Sequence, residues 1–128
     1  MDKKILLVDD DPAIRHSLGR ILDSKGYAVE LAENGQDCLD KLNGHGNEFK
    51  LIILDIMMPG LSGGEVTKAL MKDKLLKHIP IIYLMAKTDE PSRVAGYLGG
   101  EEYITKPFNT EDLLERIRQV LARVGGEK

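Results

Sequence analysis

The chain has 128 residues, 18 Lys and Arg against 21 Asp and Glu for a formal net charge of −3, one cysteine and no tryptophan. That length builds one domain around one core, read here as residues 1–128; the slightly acidic balance gives no electrostatic case for nucleic acid or an anionic membrane, and scarce aromatics leave little for base stacking. Cys38 alone excludes an internal disulfide and fits a reducing cytoplasm, no stretch approaches the roughly 18 apolar residues of a membrane span, and Met1-Asp2-Lys3-Lys4 does not begin a signal peptide.

Short apolar runs alternate with helical spacing along the chain, the pattern of βα units around a parallel sheet. Ile5-Leu6-Leu7-Val8 is the first predicted strand and runs into Asp9-Asp10-Asp11. Asp11 suits a helix N-cap and Pro12 its first turn; Ile14, Leu18, Ile21 and Leu22 then share one face, and Gly26 stops the helix. Tyr27 to Leu31 reads as a second strand, Asn34-Gly35 as a turn, and Cys38, Leu39 and Leu42 as the apolar side of a second helix closed by Gly44-His45-Gly46-Asn47. Leu51 to Leu54 is apolar throughout, a third strand buried on both faces that ends in Asp55. The breakers Pro59, Gly60, Gly63 and Gly64 make a loop, followed by a helix carrying Val66, Leu70 and Leu75. Ile79 to Leu84 is a fourth strand with Pro80 near its start. Residues 89–98 form the weakest helix, with Gly96 inside it and Gly99-Gly100 behind it. Glu102 to Thr105 is a short last strand running into Lys106-Pro107. Asn109 caps a final helix, with Asp112 at capping-box spacing and Leu113, Ile117, Val120, Leu121 and Val124 as its stripe.

Three strands thus end in charge. If they are parallel neighbours, Asp9, Asp10, Asp55 and Lys106 meet at the C-terminal edge of the sheet, where open α/β sheets bind ligands. Each aspartate alone also suits helix capping or a solvated strand end, and Asp11 does so well. The set does not, because clustered carboxylates repel unless a cation or proton relieves them. Hard oxygen ligands suit Mg²⁺, and a lysine beside them suits phosphate as a point charge. His16, His45 and His78 have no metal-ligand spacing, and Cys38 reads as a buried small residue.

Through Asp9-Asp10 after Ile5 to Val8, Asp55 in Leu54-Asp55-Ile56-Met57-Met58-Pro59-Gly60, and Tyr103-Ile104-Thr105-Lys106-Pro107-Phe108, the chain resembles a receiver domain of a two-component response regulator over nearly its whole length. The resemblance implies a single receiver domain with a flavodoxin-like doubly wound α/β fold: a five-stranded parallel sheet in order 2-1-3-4-5 with five helices. It implies that Asp55 accepts a phosphoryl group from a phosphohistidine on a sensor histidine kinase or a histidine phosphotransfer protein. It implies Mg²⁺ held by Asp10, Asp55 and the Met57 carbonyl, with Asp9 acting through water. Lys106 would contact the phosphoryl group, Tyr103 would be the aromatic that changes orientation, and Lys106-Pro107 would be a cis bond. Effector or homodimer contact would use the face of the fourth helix, fifth strand and fifth helix. The protein would not be an enzyme beyond its own phosphorylation and dephosphorylation.

One position departs from the family. The fourth strand usually ends in a threonine or serine whose hydroxyl meets the phosphoryl group, and Met85 stands there in this chain. A thioether donates no hydrogen bond; either Thr88 substitutes or the hydroxyl is missing, and Tyr103 is then a switch or ordinary strand packing. Two other functions compete. A receiver-like module could act without phosphorylation, which Met85 favours; or Asp9-Asp10-Asp11, an Asp-x-Asp after a strand, could place Asp9 as the nucleophile of a haloacid-dehalogenase-type phosphatase.

Overall fold

Ile5, Leu6, Leu7 and Val8 are each fully buried, so the first strand has no solvent face, the condition of a parallel sheet covered on both sides. The structure, a computed structural model, describes residues 3–56, 60–86, 102–106 and 108–125. Along the chain it contains β1 (Lys4–Val8), α1 (Pro12–Ser24), β2 (Val29–Ala32), α2 (Gly35–Leu42), a 3-10 turn (Gly46–Glu48), β3 (Phe49–Asp55), α3 (Gly63–Met71), β4 (Ile81–Ala86), β5 (Glu102–Lys106) and α4 (Thr110–Gly125). The strands are parallel and lie in the order β2-β1-β3-β4-β5. This is the doubly wound flavodoxin-like sheet expected from the sequence. Four α-helices cover it among the described residues; the helix expected over 89–98 lies outside them.

Strand alternation divides the core in two. Leu6, Val8, Ile52, Leu54, Ile81, Tyr83 and Met85 face Cys38 and Leu42 of α2 and Val66 and Leu70 of α3. Ile5, Leu7, Leu51, Ile53, Ile82, Leu84 and Ile104 face Leu18 and Leu22 of α1 and Leu113, Ile117 and Val120 of α4. Each such side chain contributes about 1.5–3 kcal/mol by leaving water, which fixes both the register and the level at which the strands end.

The helix ends follow local chemistry. The Asp11 carboxylate accepts the Ala13 N–H at 2.9 Å with Pro12 in the first turn, and Gly26, at φ +92°, carries the left-handed turn after α1. Asn109 Oδ1 accepts the N–H groups of Glu111 and Asp112 at 2.8 and 3.3 Å, the expected cap of α4. Sequence reading missed the capping box of α3, in which Ser62 Oγ accepts the Glu65 N–H and Glu65 Oε1 accepts the Ser62 N–H.

Several boundaries differ from the sequence expectation, and β3 runs Phe49–Asp55 rather than Leu51 to Leu54. β2 starts at Val29 rather than Tyr27, and β4 starts at Ile81, after Pro80, and reaches Ala86. The α3 helix ends at Met71, so Leu75 does not join its apolar face: Leu75 is 71% exposed and Leu76 is buried instead. Asp73 explains the change, because its Oδ1 accepts the N–H groups of Leu75 and Leu76 at 2.8 and 3.2 Å and folds the chain into a turn that competes with the helix.

Candidate acidic site at the carboxyl edge of the sheet

Register brings the charged strand ends together. Val8 of β1 pairs with Leu54 of β3, so the next residues, Asp9 and Asp55, lie side by side, and Ala86 of β4 pairs with Lys106 of β5. Adjacent strands are about 4.8 Å apart, so β5, two strands from β3, is about 10 Å away. A lysine has the stem to cross β4, and Lys106 Nζ reaches Asp9 Oδ2 at 3.1 Å and Asp55 Oδ2 at 3.3 Å.

Asp9 is held at every polar position. Its N–H donates to the Ala32 carbonyl at 3.2 Å, its Oδ1 accepts the Asp11 N–H at 2.9 Å, its Oδ2 accepts from Lys106, and its carbonyl accepts from Arg15 Nη1 at 2.8 Å. Asp9 and Asp55 are buried, at 0 and 3% exposure, whereas Asp10 is exposed. Carboxylate oxygens of Asp9, Asp10 and Asp55 lie within 4.8 Å of one another. Among the described residues, Lys106 is the cation that bonds to carboxylates of the cluster, meeting Asp9 and Asp55, and the Arg15 guanidinium lies beside the cluster on the Asp9 carbonyl. Burial alone would lower the Lys106 pKa, but the charge of Asp55 and the hydrogen bond and charge of Asp9 outweigh it and raise the pKa above its ordinary value. An all-oxygen set of three clustered carboxylates is chemically suited to a hard divalent cation.

The structure therefore gathers Asp9, Asp10, Asp55 and Lys106 as the sequence anticipates. Met57 and Pro107, expected as a carbonyl ligand and a cis-proline, lie outside the described residues, as does Thr88. Met85 is 1% exposed in the core facing α2 and α3, and Tyr103 is half-buried and packs against that same cluster. Cys38 is fully buried, and its thiol is pushed up to about 12 by burial and then by the Asp37 charge, so it is inert. His16 and His45 are exposed. Sequence reading missed Arg15; its signal was its place in the first turn of α1, where a long side chain directed back toward the helix N-terminus returns to the strand end.

The geometry agrees with known proteins. Residues 5–118 match the response regulator receiver domain family. The transcriptional regulatory protein CpxR homolog of Haemophilus influenzae is 40% identical over 121 residues, which are 94% of this chain and 51% of that protein. The chain spans about half the length of the curated relatives it matches. Among solved structures, the chemotaxis protein CheY4 of Vibrio cholerae superimposes with a TM-score of 0.83 at 33% identity, covering 94% of this chain and 99% of that one. The response regulator TrrA of Thermotoga maritima, solved in complex with Mg²⁺-BeF, gives a TM-score of 0.80 at 39% identity, covering 92% of this chain and 98% of that one. With the strand order, the acidic cluster and a family match over most of its length, the chain belongs to the response regulator receiver domains of two-component systems.

Proposed function

We propose that Asp55 accepts a phosphoryl group from a phosphohistidine of a sensor histidine kinase or a histidine phosphotransfer protein, in a Mg²⁺-dependent reaction, and that the surface of the domain carries the signal. The observation that carries this reading is Lys106 Nζ bridging Asp9 and Asp55 inside the three-carboxylate cluster. An Asp55 carboxylate oxygen forms the new bond to phosphorus as the phosphorus–nitrogen bond breaks, and the imidazole leaves with the bonding pair. Such transfer demands positioning and charge neutralisation more than activation of the nucleophile. Asp10, Asp55 and the Met57 carbonyl would hold Mg²⁺, with Asp9 acting through water. When bound, Mg²⁺ supplies the charge that lets phosphoryl oxygens approach a carboxylate. Lys106 is the second cation for those oxygens. The acyl phosphate is then open to hydrolysis, which times the signal, and the domain has no other catalytic activity. We place it in the cytoplasm; no helix among the described residues is long and apolar enough to cross a membrane.

Intact-mass and peptide analysis after incubation with Mg²⁺ and acetyl phosphate tests this reading. Asp55 should be labelled, and chelation or Asp55→Asn should abolish the label. A label on Asp9 instead would replace the receiver reading with a phosphatase.

Met85 favours a second reading, a module that acts without phosphorylation, because its buried thioether cannot donate to a phosphoryl oxygen. The two meet in one intermediate reading: Asp55 is phosphorylated, and the coupling to Tyr103 is atypical. Met85→Thr should then enlarge the amide chemical-shift changes that phosphorylation induces around Tyr103. Equal changes in parent and variant would remove Met85 from the coupling.

A further inference from the structure

Ile56, the residue after Asp55, and the start of α3 are each tied to β4. In the main chain, the Ile56 N–H donates to the Leu84 carbonyl at 2.9 Å. Through side chains, the Tyr83 hydroxyl lies 3.0 Å from Thr67 Oγ1, and Thr67 gives its own proton to the Gly63 carbonyl at 2.8 Å. A hydroxyl has one proton, so Tyr83 is the donor in the pair. The Gly63 N–H returns to the Ile56 carbonyl at 2.9 Å. The circuit closes: Ile56, Gly63, Thr67, Tyr83, Leu84 and back to Ile56.

Three features set this circuit apart from routine satisfaction of a core tyrosine. Tyr83 is fully enclosed and Thr67 is 5% exposed, so water does not readily substitute when the pair opens. Gly63 lies tight against the acceptor strand end, since a Cβ there would meet Ile56 Cα at 2.7 Å and the Asp55 carbonyl at 3.0 Å. Tyr83 also pairs in register with Leu54, next to Asp55, on one side and with Tyr103 on the other. A displacement of Ile56 reaches Gly63 through their own hydrogen bond, and the hydroxyl pair fixes that part of α3 to β4.

We propose that Tyr83 and Thr67 are positioning residues that hold the start of α3 to β4, so that a change at Asp55, passed by Ile56 to Gly63, moves the first turn of α3 as a unit with that strand. The proposal rests on the reading of Asp55 as phospho-acceptor and adds a route for the signal that needs no hydroxyl at position 85.

Amide spectra of the full chain with and without Mg²⁺ and beryllofluoride test it. In the parent, the amides of residues 63–67 and of Tyr83 should shift. Tyr83→Phe and Thr67→Val should each reduce the shifts at 63–67 by about threefold or more, the scale expected for one buried hydroxyl bond. The double variant should do no more than either alone, and Thr67→Ser should restore the response. Dispersed spectra with parent-sized shifts at 63–67, or effects that add, would overturn the proposal while leaving Asp55 phosphorylation intact. If Thr67→Val fails to fold, Tyr83→Phe, which keeps the ring, decides the matter. A parent chain whose Asp55 neighbourhood does not respond at all would overturn the phospho-acceptor reading and this coupling with it.

Discussion

Arg15 enters the acidic site through the backbone rather than through a carboxylate. Its guanidinium takes the Asp9 carbonyl at 2.8 Å, while both Asp9 carboxylate oxygens are held by other donors. Asp9 is thereby locked, and Asp10, the next residue, inherits its position. Groups that orient ligands without touching the ion typically change affinity tenfold or more when removed. Arg15→Gln should therefore weaken Mg²⁺ binding about tenfold in calorimetry, with Arg15→Lys recovering part of the loss through charge without the planar fork. The aspartates and Lys106 were legible in the sequence because each ends an apolar run, where strand geometry fixes their level. Arg15 was not, because an arginine in an exposed first turn looks the same whether it meets solvent or a carbonyl.

At the scale of elements, the start of α3 lies tight against the end of β3. A methyl on Gly63 would press on backbone atoms of Asp55 and Ile56, which cannot rotate away. Gly63→Ala should cost about 1–3 kcal/mol in denaturant unfolding, as overpacking does, and should slow labelling of Asp55 through displacement of its strand end. A second test concerns α2. The Cys38 thiol ionises near 9 in the unfolded chain and at about 12 in the fold. Above pH 9 the unfolded state loses a proton that the folded state keeps, so the contribution of Cys38 is complete below pH 9 and disappears as pH rises to 12. Cys38→Ala should flatten the alkaline decline in stability measured by urea titration between these values. The elements themselves were legible wherever the apolar period was clear, as in β1, α1, β3 and α4. The end of α3 was not, because Leu75 and Leu76 both suit a helical stripe and only the Asp73 turn selects Leu76 for burial.

For the whole molecule, folding concentrates like charge. A chain of net charge −3 places three carboxylates within 4.8 Å at one sheet edge and sets the Lys106 ammonium between two of them. The parallel sheet was legible from alternating βα patterns and its strand order through the family resemblance, but the balance at the site was not, since it depends on which charges register and side-chain reach bring into contact. On the proposed function, a divalent cation bound among these carboxylates relieves their mutual repulsion. A cation that binds the folded state alone stabilises it by RT ln(1 + [L]/Kd), about 2.7 kcal/mol at a hundredfold excess over Kd, or roughly 5–10 °C in Tm for a domain of this size. Mg²⁺ should raise Tm on that scale in scanning calorimetry, and KCl at matched ionic strength should not, because screening acts weakly on buried pairs. Asp10→Asn should remove most of the Mg²⁺-dependent rise while leaving the metal-free fold as stable or slightly more so, because Asp10 is exposed and its charge only adds to the repulsion. An equal rise in parent and Asp10→Asn would show that the ion sits elsewhere and that this convergence of strand ends is not what binds it.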